Sequence, residues 1–311
     1  MTLSHTQRQQ TSRFGNPYLF LVVTVVAFSF AAVLVRQTQN AGMDSLTISA
    51  GRLLLTALIL TPVVLSRYLD ELRDMRRIAI AGAMLAGCFQ SVQFMAMSIS
   101  LEYTSVVVNQ MIINTAPVWI ALLEVTILKQ RFSRPLYIGI AVAFVGGFII
   151  AISSGSSTSG PNPELGNLIA FAGAIGASLY IFSGRVNRAR ISIIPYMWMV
   201  NLTGGTICLM VALITQQPIL GYTTNAYLWL LVTTLVPQLI GHTSMNYVVG
   251  YLPATITSLA NQLVVVTSGI LAFLFFSELP TVLEILGIFI VISGVTMAIV
   301  AQARSRRKRK T

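Results

Sequence analysis

The chain has 311 residues, of which 55% are hydrophobic and 9% charged, with a formal net charge of +11 and a mean hydropathy of +0.78. An average soluble domain carries about 25% charged residues, so no soluble core could hide this much apolar surface, and a water-soluble enzyme is excluded. The two cysteines, Cys88 and Cys208, stand alone in separate apolar runs and give neither a disulfide nor a metal-ligand pattern.

A helix that crosses a bilayer needs about 20 mostly apolar residues. Such runs are predicted near 17–35, 46–67, 78–100, 104–128 and 136–154, and again near 165–184, 192–216, 226–249, 253–276 and 282–302. The first follows a polar head without a small-residue cleavage site, so it reads as a retained helix and not a removed signal peptide. The longest connection is SSGSSTSGPNPE, from Ser153 to Glu164, which places any activity inside the membrane. The pattern predicts an all-α integral membrane protein with ten transmembrane helices. Its parts are a cytoplasmic head (1–16), a five-helix unit (17–154), an external linker (155–163), a second five-helix unit (164–302) and a basic tail (303–311).

Charge sets the orientation, because connections rich in Lys and Arg stay on the cytoplasmic side. The head, the connections after runs two, four and six, and the tail together hold 18 of the 20 basic residues. Arg36 alone falls on the opposite side, and Arg52 lies within run two. Both termini are therefore expected in the cytoplasm. The terminal RSRRKRK reads as an anchor near anionic headgroups and needs no nucleic-acid partner.

The second half repeats the first. An offset of 148 residues pairs Gln90 with Gln238, Met97 with Met245, Tyr103 with Tyr251, Gly139 with Gly287, Ile140 with Ile288 and Gly146 with Gly294, without gaps. Units of five spans must be inverted relative to one another. The charges agree: KQRFSR follows run four, whereas its counterpart SELPTV after run nine has no basic residue. Inverted repeats around a site near the midplane are a recurrent transporter plan.

The segments YTSVVVNQMIINTAPVWIALLEVTILKQRFS and YLPATITSLANQLVVVTSGILAFLFFSELPT, with the five-plus-five duplication, resemble the drug/metabolite transporter superfamily, in particular its EamA-type branch. The resemblance covers nearly the whole chain. The family ends the fourth helix of each half on a small residue followed by Glu; Ser277 and Glu278 match in the second half, while Lys129 and Gln130 depart in the first. Arg52, in AGRLLLTAL, looks like an Arg often found in the family's second helix. The resemblance implies a cavity between the halves and export of small metabolites, commonly amino acids or drug-like compounds.

Polar residues within spans should face other helices or a watery cavity. At about 100° per residue, Gln90, Gln93 and Met97 share a face of span three, and Gln238, His242 and Asn246 a face of span eight. Span four groups Asn109, Asn114 and Glu124; span nine groups Thr257, Asn261 and Ser268, with Gln262 to one side. These amides are candidate substrate contacts, set against the plain alternative of helix-to-helix hydrogen bonds. His242, Glu124 and Arg52 are the ionisable residues well inside spans and the candidates for proton coupling or gating. In the coupling reading Gln238 or Asn246 fixes the His242 tautomer; against it stand a neutral, hydrogen-bonded packing histidine, a Glu124 paired at the interface, and an Arg52 that snorkels outward or bonds backbone carbonyls.

With Arg52 as the one buried cation, phosphorylated cargo is disfavoured. The amides, with Phe94, Trp119, Tyr180 and Trp198 for stacking, suit neutral, zwitterionic or weakly cationic amphipathic solutes. Pro117 and Pro237 are the expected helix bends, and Gly139, Ala143 and Gly146 with Gly287 and Gly294 are expected helix-packing strips. The reading is a plasma-membrane exporter that alternates access around a midplane pocket, as monomer or homodimer, without cofactor, metal or catalytic residues. The alternatives are a membrane-embedded enzyme, for which no catalytic set is found, or a non-transporting membrane partner subunit.

Overall fold

The computed structural model describes residues 16–127, 134–152, 161–187, 191–251, 263–264, 267–268, 270–277 and 281–308, and every regular element among them is helical. Five helices are long and apolar enough to cross a membrane: Pro17–Asn40, Ser45–Arg67, Arg77–Tyr103, Pro163–Gly184 and Ile193–Ile214. Their outward faces expose Leu58, Leu168 and Met210. Water would penalise such faces and lipid does not, because helices satisfy their own backbone polar groups.

We label the helices α1 (Pro17–Ser29), α2 (Ala31–Asn40), α3 (Ser45–Arg67), α4 (Leu69–Arg73), α5 (Arg77–Tyr103), α6 (Val106–Ile113) and α7 (Ala116–Thr126). They continue as α8 (Arg134–Ile152), α9 (Pro163–Asn187), α10 (Ile193–Ile214), α11 (Thr224–Thr233), a π-helical segment (Thr234–His242), α12 (Thr243–Tyr251) and α13 (Val282–Lys308). Short polar side chains start several of them by accepting from free backbone N–H groups. Asp44 accepts from Leu46 N at 2.8 Å to open α3, and Ser105 accepts from Val108 N at 3.2 Å to open α6. Where α5 ends, the Arg36 guanidinium closes it by donating to the carbonyls of Leu101 and Thr104 at 2.5 and 2.7 Å.

Both expected prolines interrupt regular winding. Pro117 stands at the start of α7, and the ladder breaks just before it at Asn114 and Thr115. A proline nitrogen cannot donate to the carbonyl four residues earlier, at Ile113. Run four is thus two helices, and a single helical wheel cannot be carried from Asn109 through Asn114 to Glu124. Pro237 sits inside the nine-residue π segment of run eight, a winding that is rare and usually confined to one turn. At the far end α13 does not stop at 302 but winds on through Lys308.

The packing is reciprocal between the halves. Helix α5 lies along α9, α3 along α10, α8 along α13, and α1 along the π segment and α12. Exchanging first-half and second-half residues across the 148-residue offset maps the α5–α9 pairing onto the last of these and returns α3–α10 and α8–α13 to themselves. The α8–α13 crossing shows the exchange at atomic detail. A Cβ added to Gly146 would lie 2.9 Å from the Gly287 carbonyl oxygen, and one on its offset partner Gly294 would lie 2.7 Å from the carbonyl oxygen of Gly139, the offset partner of Gly287. Likewise Gly146 abuts the Val291 backbone N and Gly294 abuts the Ala143 backbone N, Val291 being the offset partner of Ala143. The two helices approach backbone to backbone within one chain, which only glycine permits here.

Candidate functional site

Helix α3 buries one face against α5. Ser49 Oγ donates to the Phe94 carbonyl at 3.1 Å and to Ser98 Oγ at 3.0 Å, and on the same side Arg52 is 1% exposed. Its guanidinium carbon lies 4.4 Å from the Phe94 ring centroid. Placing an arginine at mid-helix in a bilayer costs about 2.5–3.5 kcal/mol on insertion scales, and a desolvated cation–π contact returns about 2 kcal/mol. The ring thus offsets much of the charge's cost but none of its hydrogen bonding. Nε and Nη1 are buried without a hydrogen-bond partner among the described residues.

Phe94 also meets His242, with ring centroids 5.5 Å apart. The two are offset partners, so this contact straddles the pseudo-twofold relation between the halves. Phe28 closes on the imidazole at 4.8 Å and Tyr180 at 6.1 Å. Gly241 makes the first of these approaches possible, since a Cβ there would lie 2.8 Å from the Phe28 ring.

One turn from Phe94 on α5 stands Gln90, and one turn from His242 on the π segment stands its offset partner Gln238; both are fully buried. Gln238 Nε2 donates to Asn201 Oδ1 at 2.6 Å, and Asn201 Nδ2 donates to the Met197 carbonyl at 2.7 Å. Gln238 Oε1 and both side-chain atoms of Gln90 have no partner among the described residues, and neither does Gln93 Oε1. Buried polar atoms are nearly always bonded. These unbonded atoms, on helices that pack near the Phe94–His242 contact, are candidate contacts for water or a solute.

The structure brings Arg52 and His242 of the expected set together through Phe94, with Gln90 and Gln238 one helical turn away on their own segments and Asn246 bonded to Tyr180. Asn246 Nδ2 donates to Tyr180 Oη at 2.9 Å and to the His242 carbonyl at 2.8 Å. Neither Gln238 nor Asn246 directs these bonds at the imidazole, so they do not fix its tautomer in the way expected. Arg52 does not snorkel, because α5 covers it and Phe94 holds it. Asn109 Nδ2 donates to the Met97 carbonyl at 3.2 Å and to Ser100 Oγ while its Oδ1 is buried without a partner among the described residues, and Asn114 folds back on the Gln110 carbonyl at 2.7 Å. Both tie span four to itself or to the end of α5. Asn261 and Gln262 lie outside the described residues, as does the side chain of Glu124.

Of the aromatics, Phe94 and Tyr180 reach the centre. Trp119 packs edge-on against Phe171 at 5.0 Å, and Trp198 bonds Thr61 at 3.0 Å. Two central residues were missed from sequence. Asn201 is a lone amide in the apolar α10 and carried the same signal as Gln90. Phe28 carried none, because an aromatic in an apolar helix reads as lipid-facing.

Apolar helices of spanning length with lipid-type outer faces define a multi-pass membrane protein. The sequence profile of the EamA-like transporter family matches residues 16–152 and again 164–300, segments whose starts and ends both differ by 148, and the chain belongs to that family. Among curated proteins it is 26% identical over 241 residues to the "Uncharacterized transporter YdfC" of Bacillus subtilis (strain 168), covering 77% of this chain and 76% of that one. It is also 26% identical over 292 residues to the "Probable terminal-alkyne amino-acid exporter" of Streptantibioticus cattleyicolor, covering 89% and 91%. A solved crystal structure shares the fold at a TM-score of 0.65 over 93% of this chain and 98% of its own, with 16% identity.

Proposed function

We propose that this transporter is a secondary carrier of the plasma membrane that exports small neutral, zwitterionic or amphipathic metabolites, amino acids or drug-like compounds, by alternating access. Ten transmembrane helices form two inverted five-helix units, 17–154 and 164–302, joined by an external linker at 155–163 and flanked by a cytoplasmic head and tail. The observation that carries this reading is the set of unbonded polar atoms on Gln90, Gln93, Gln238 and Arg52, buried where the two halves meet. Inverted repeats place substrate at such a meeting point near the bilayer midplane. The exporter name of one relative agrees in direction.

A proton is the proposed coupling ion, with His242 as its carrier; Arg52 is the charged group and Tyr180 the titratable group that face the same cluster. Solute passes through chemically unaltered, so no catalytic step is assigned. The test is counterflow in proteoliposomes over amino acids, nucleosides and lipophilic amines. Accumulation of at least one unmodified solute is expected, and no movement of any of them removes the carrier reading. For the orientation, a reporter fused after Thr311 should sit in the cytoplasm; a signal from the far side overturns the orientation drawn from charge.

A further inference from the structure

We infer that the two repeats do not move as equals: run eight (α11, the π segment and α12) shifts during transport against a fixed frame of α2, α3, α5, α9 and α10, while its repeat counterpart α5 stays part of that frame. This rests on the carrier reading above and assigns its moving part.

Helix α5 is held by backbone on two sides. Against α10, a Cβ on Gly87 would lie 2.8 Å from the Val200 carbonyl oxygen, and one on Gly204 would lie 2.9 Å from the Gly87 carbonyl oxygen. Against α9, a Cβ on Gly176 would lie 2.9 Å from the Gln93 backbone N and 3.1 Å from the Phe89 carbonyl oxygen. Elsewhere its carbonyls accept from other helices: Arg36 and Gln39 of α2 donate to Leu101 and Ser98, and Ser49 of α3 donates to Phe94. The frame is itself tied at both ends of the α3–α10 pair. Thr47 Oγ1 donates to the Pro218 carbonyl at 2.8 Å beyond the end of α10, and Ser192 N donates to Glu71 Oε1 at 2.8 Å beyond the end of α3.

Neither glycine crossing recurs in run eight. The offset partners of Gly87 and Gly204 are Leu235, which is partly exposed, and Thr56. At the crossing equivalent to Gly176 and Gln93 the glycine is on the other helix, Gly241, and the Phe28 ring fills the space. Run eight meets its other neighbours through the ends of side chains: Leu230 over Gly51, Thr233 beside Thr38, and the Gln238 amide on Asn201. Such contacts re-form by rotamer changes when packed helices slide, whereas backbone at van der Waals distance leaves no side chain to give way. Run eight also contains the π winding, and Pro237 within it gives no N–H to the ladder, so less backbone bonding resists its deformation than in α5.

The experiment locks each helix to the same frame in the full chain, in a parent carrying Cys88→Ala and Cys208→Ala. Ser49→Cys with Ser98→Cys ties α5 to α3, where the hydroxyl oxygens stand 3.0 Å apart. Thr38→Cys with Thr233→Cys ties run eight to α2, where they stand 3.3 Å apart. Proteoliposome counterflow of amino acids, nucleosides and lipophilic amines is read before and after oxidation, and again after reductant. Oxidation should leave the α5 lock within about twofold of its reduced form and lower the run-eight lock by about tenfold or more until reductant is added. Hydrogen exchange on the unaltered chain in lipid nanodiscs is an independent reading and decides where a cross-link does not form: amides of 234–251 should exchange at least about tenfold faster than those of 77–103. Counterflow lost on locking α5, counterflow kept on locking run eight, or equal exchange of the two segments overturns the inference and leaves the carrier reading standing. A wild type that moves no solute of the panel removes the carrier reading and the inference with it.

Discussion

The α8–α13 seam and the Phe94–His242 centre lie on the same exchange of halves and use it in opposite ways. At the seam, offset partners are identical or nearly so, and the contacts repeat atom for atom from Gly139–Gly294 to Gly146–Gly287. At the centre, the pairing survives in position but not in chemistry: Phe94 faces His242, and Arg52 has Val200 as its counterpart. Symmetry serves where only close packing is asked of the chain. At the centre the copies have diverged around a shared pair of glutamines, Gln90 and Gln238.

Substitutions can break this contrast. The largest effect is expected at the seam, where Gly146→Leu drives a side chain into the Val291 backbone and Gly294→Leu does the same to Ala143. Overpacking commonly costs about 1–3 kcal/mol, and here backbone, not a flexible side chain, is in the way. Both variants should lose their monodisperse elution peak, and to similar extents. A peak retained by one and lost by the other would show that the exchange does not govern the packing.

A smaller loss is expected for Asn201→Leu. It removes the 2.6 Å bond from Gln238 and leaves that amide buried without a partner, for about 1–3 kcal/mol by thermal unfolding. An unchanged melting temperature would mean that the Gln238 amide has another partner. Gln90→Leu should behave in the reverse sense. Its side chain has no bond to lose, so stability should stay within about 1 kcal/mol of wild type while solute binding weakens. Strong destabilisation would instead show Gln90 to be a structural amide.

The mildest change is His242→Phe, which makes the pair with Phe94 identical and keeps the ring packing. Folding should be preserved and transport reduced. Transport that still follows an imposed proton gradient in this variant would take the histidine out of coupling.

Much of this contrast was legible in the sequence. The glycines announced the seam because close backbone approach admits no other residue, so identity is held across the offset. The proline positions foretold both interruptions, since a missing N–H and a ring clash act locally. Gln90, Gln238 and His242 stood out as polar groups in apolar helices. Glu124 was grouped with Asn109 and Asn114 by a helical wheel carried across the break before α7, and angular position means nothing beyond such a break. The bonds of Asn109 to the end of α5 depend on tertiary approach, which no periodicity encodes. Arg52 was expected to snorkel or to bond backbone carbonyls, whereas its guanidinium lies over a ring on another helix, which periodicity likewise does not encode.

The π-helical winding from Thr234 to His242 has a last consequence. A π turn closes its hydrogen bonds one residue later than an α turn, so it takes up more chain per revolution than the corresponding stretch of α5 does. Residues downstream are thereby clocked round relative to their counterparts, although the alignment contains no insertion. Two copies of one ancestral unit can thus present different side chains to a common space by a change of pitch alone.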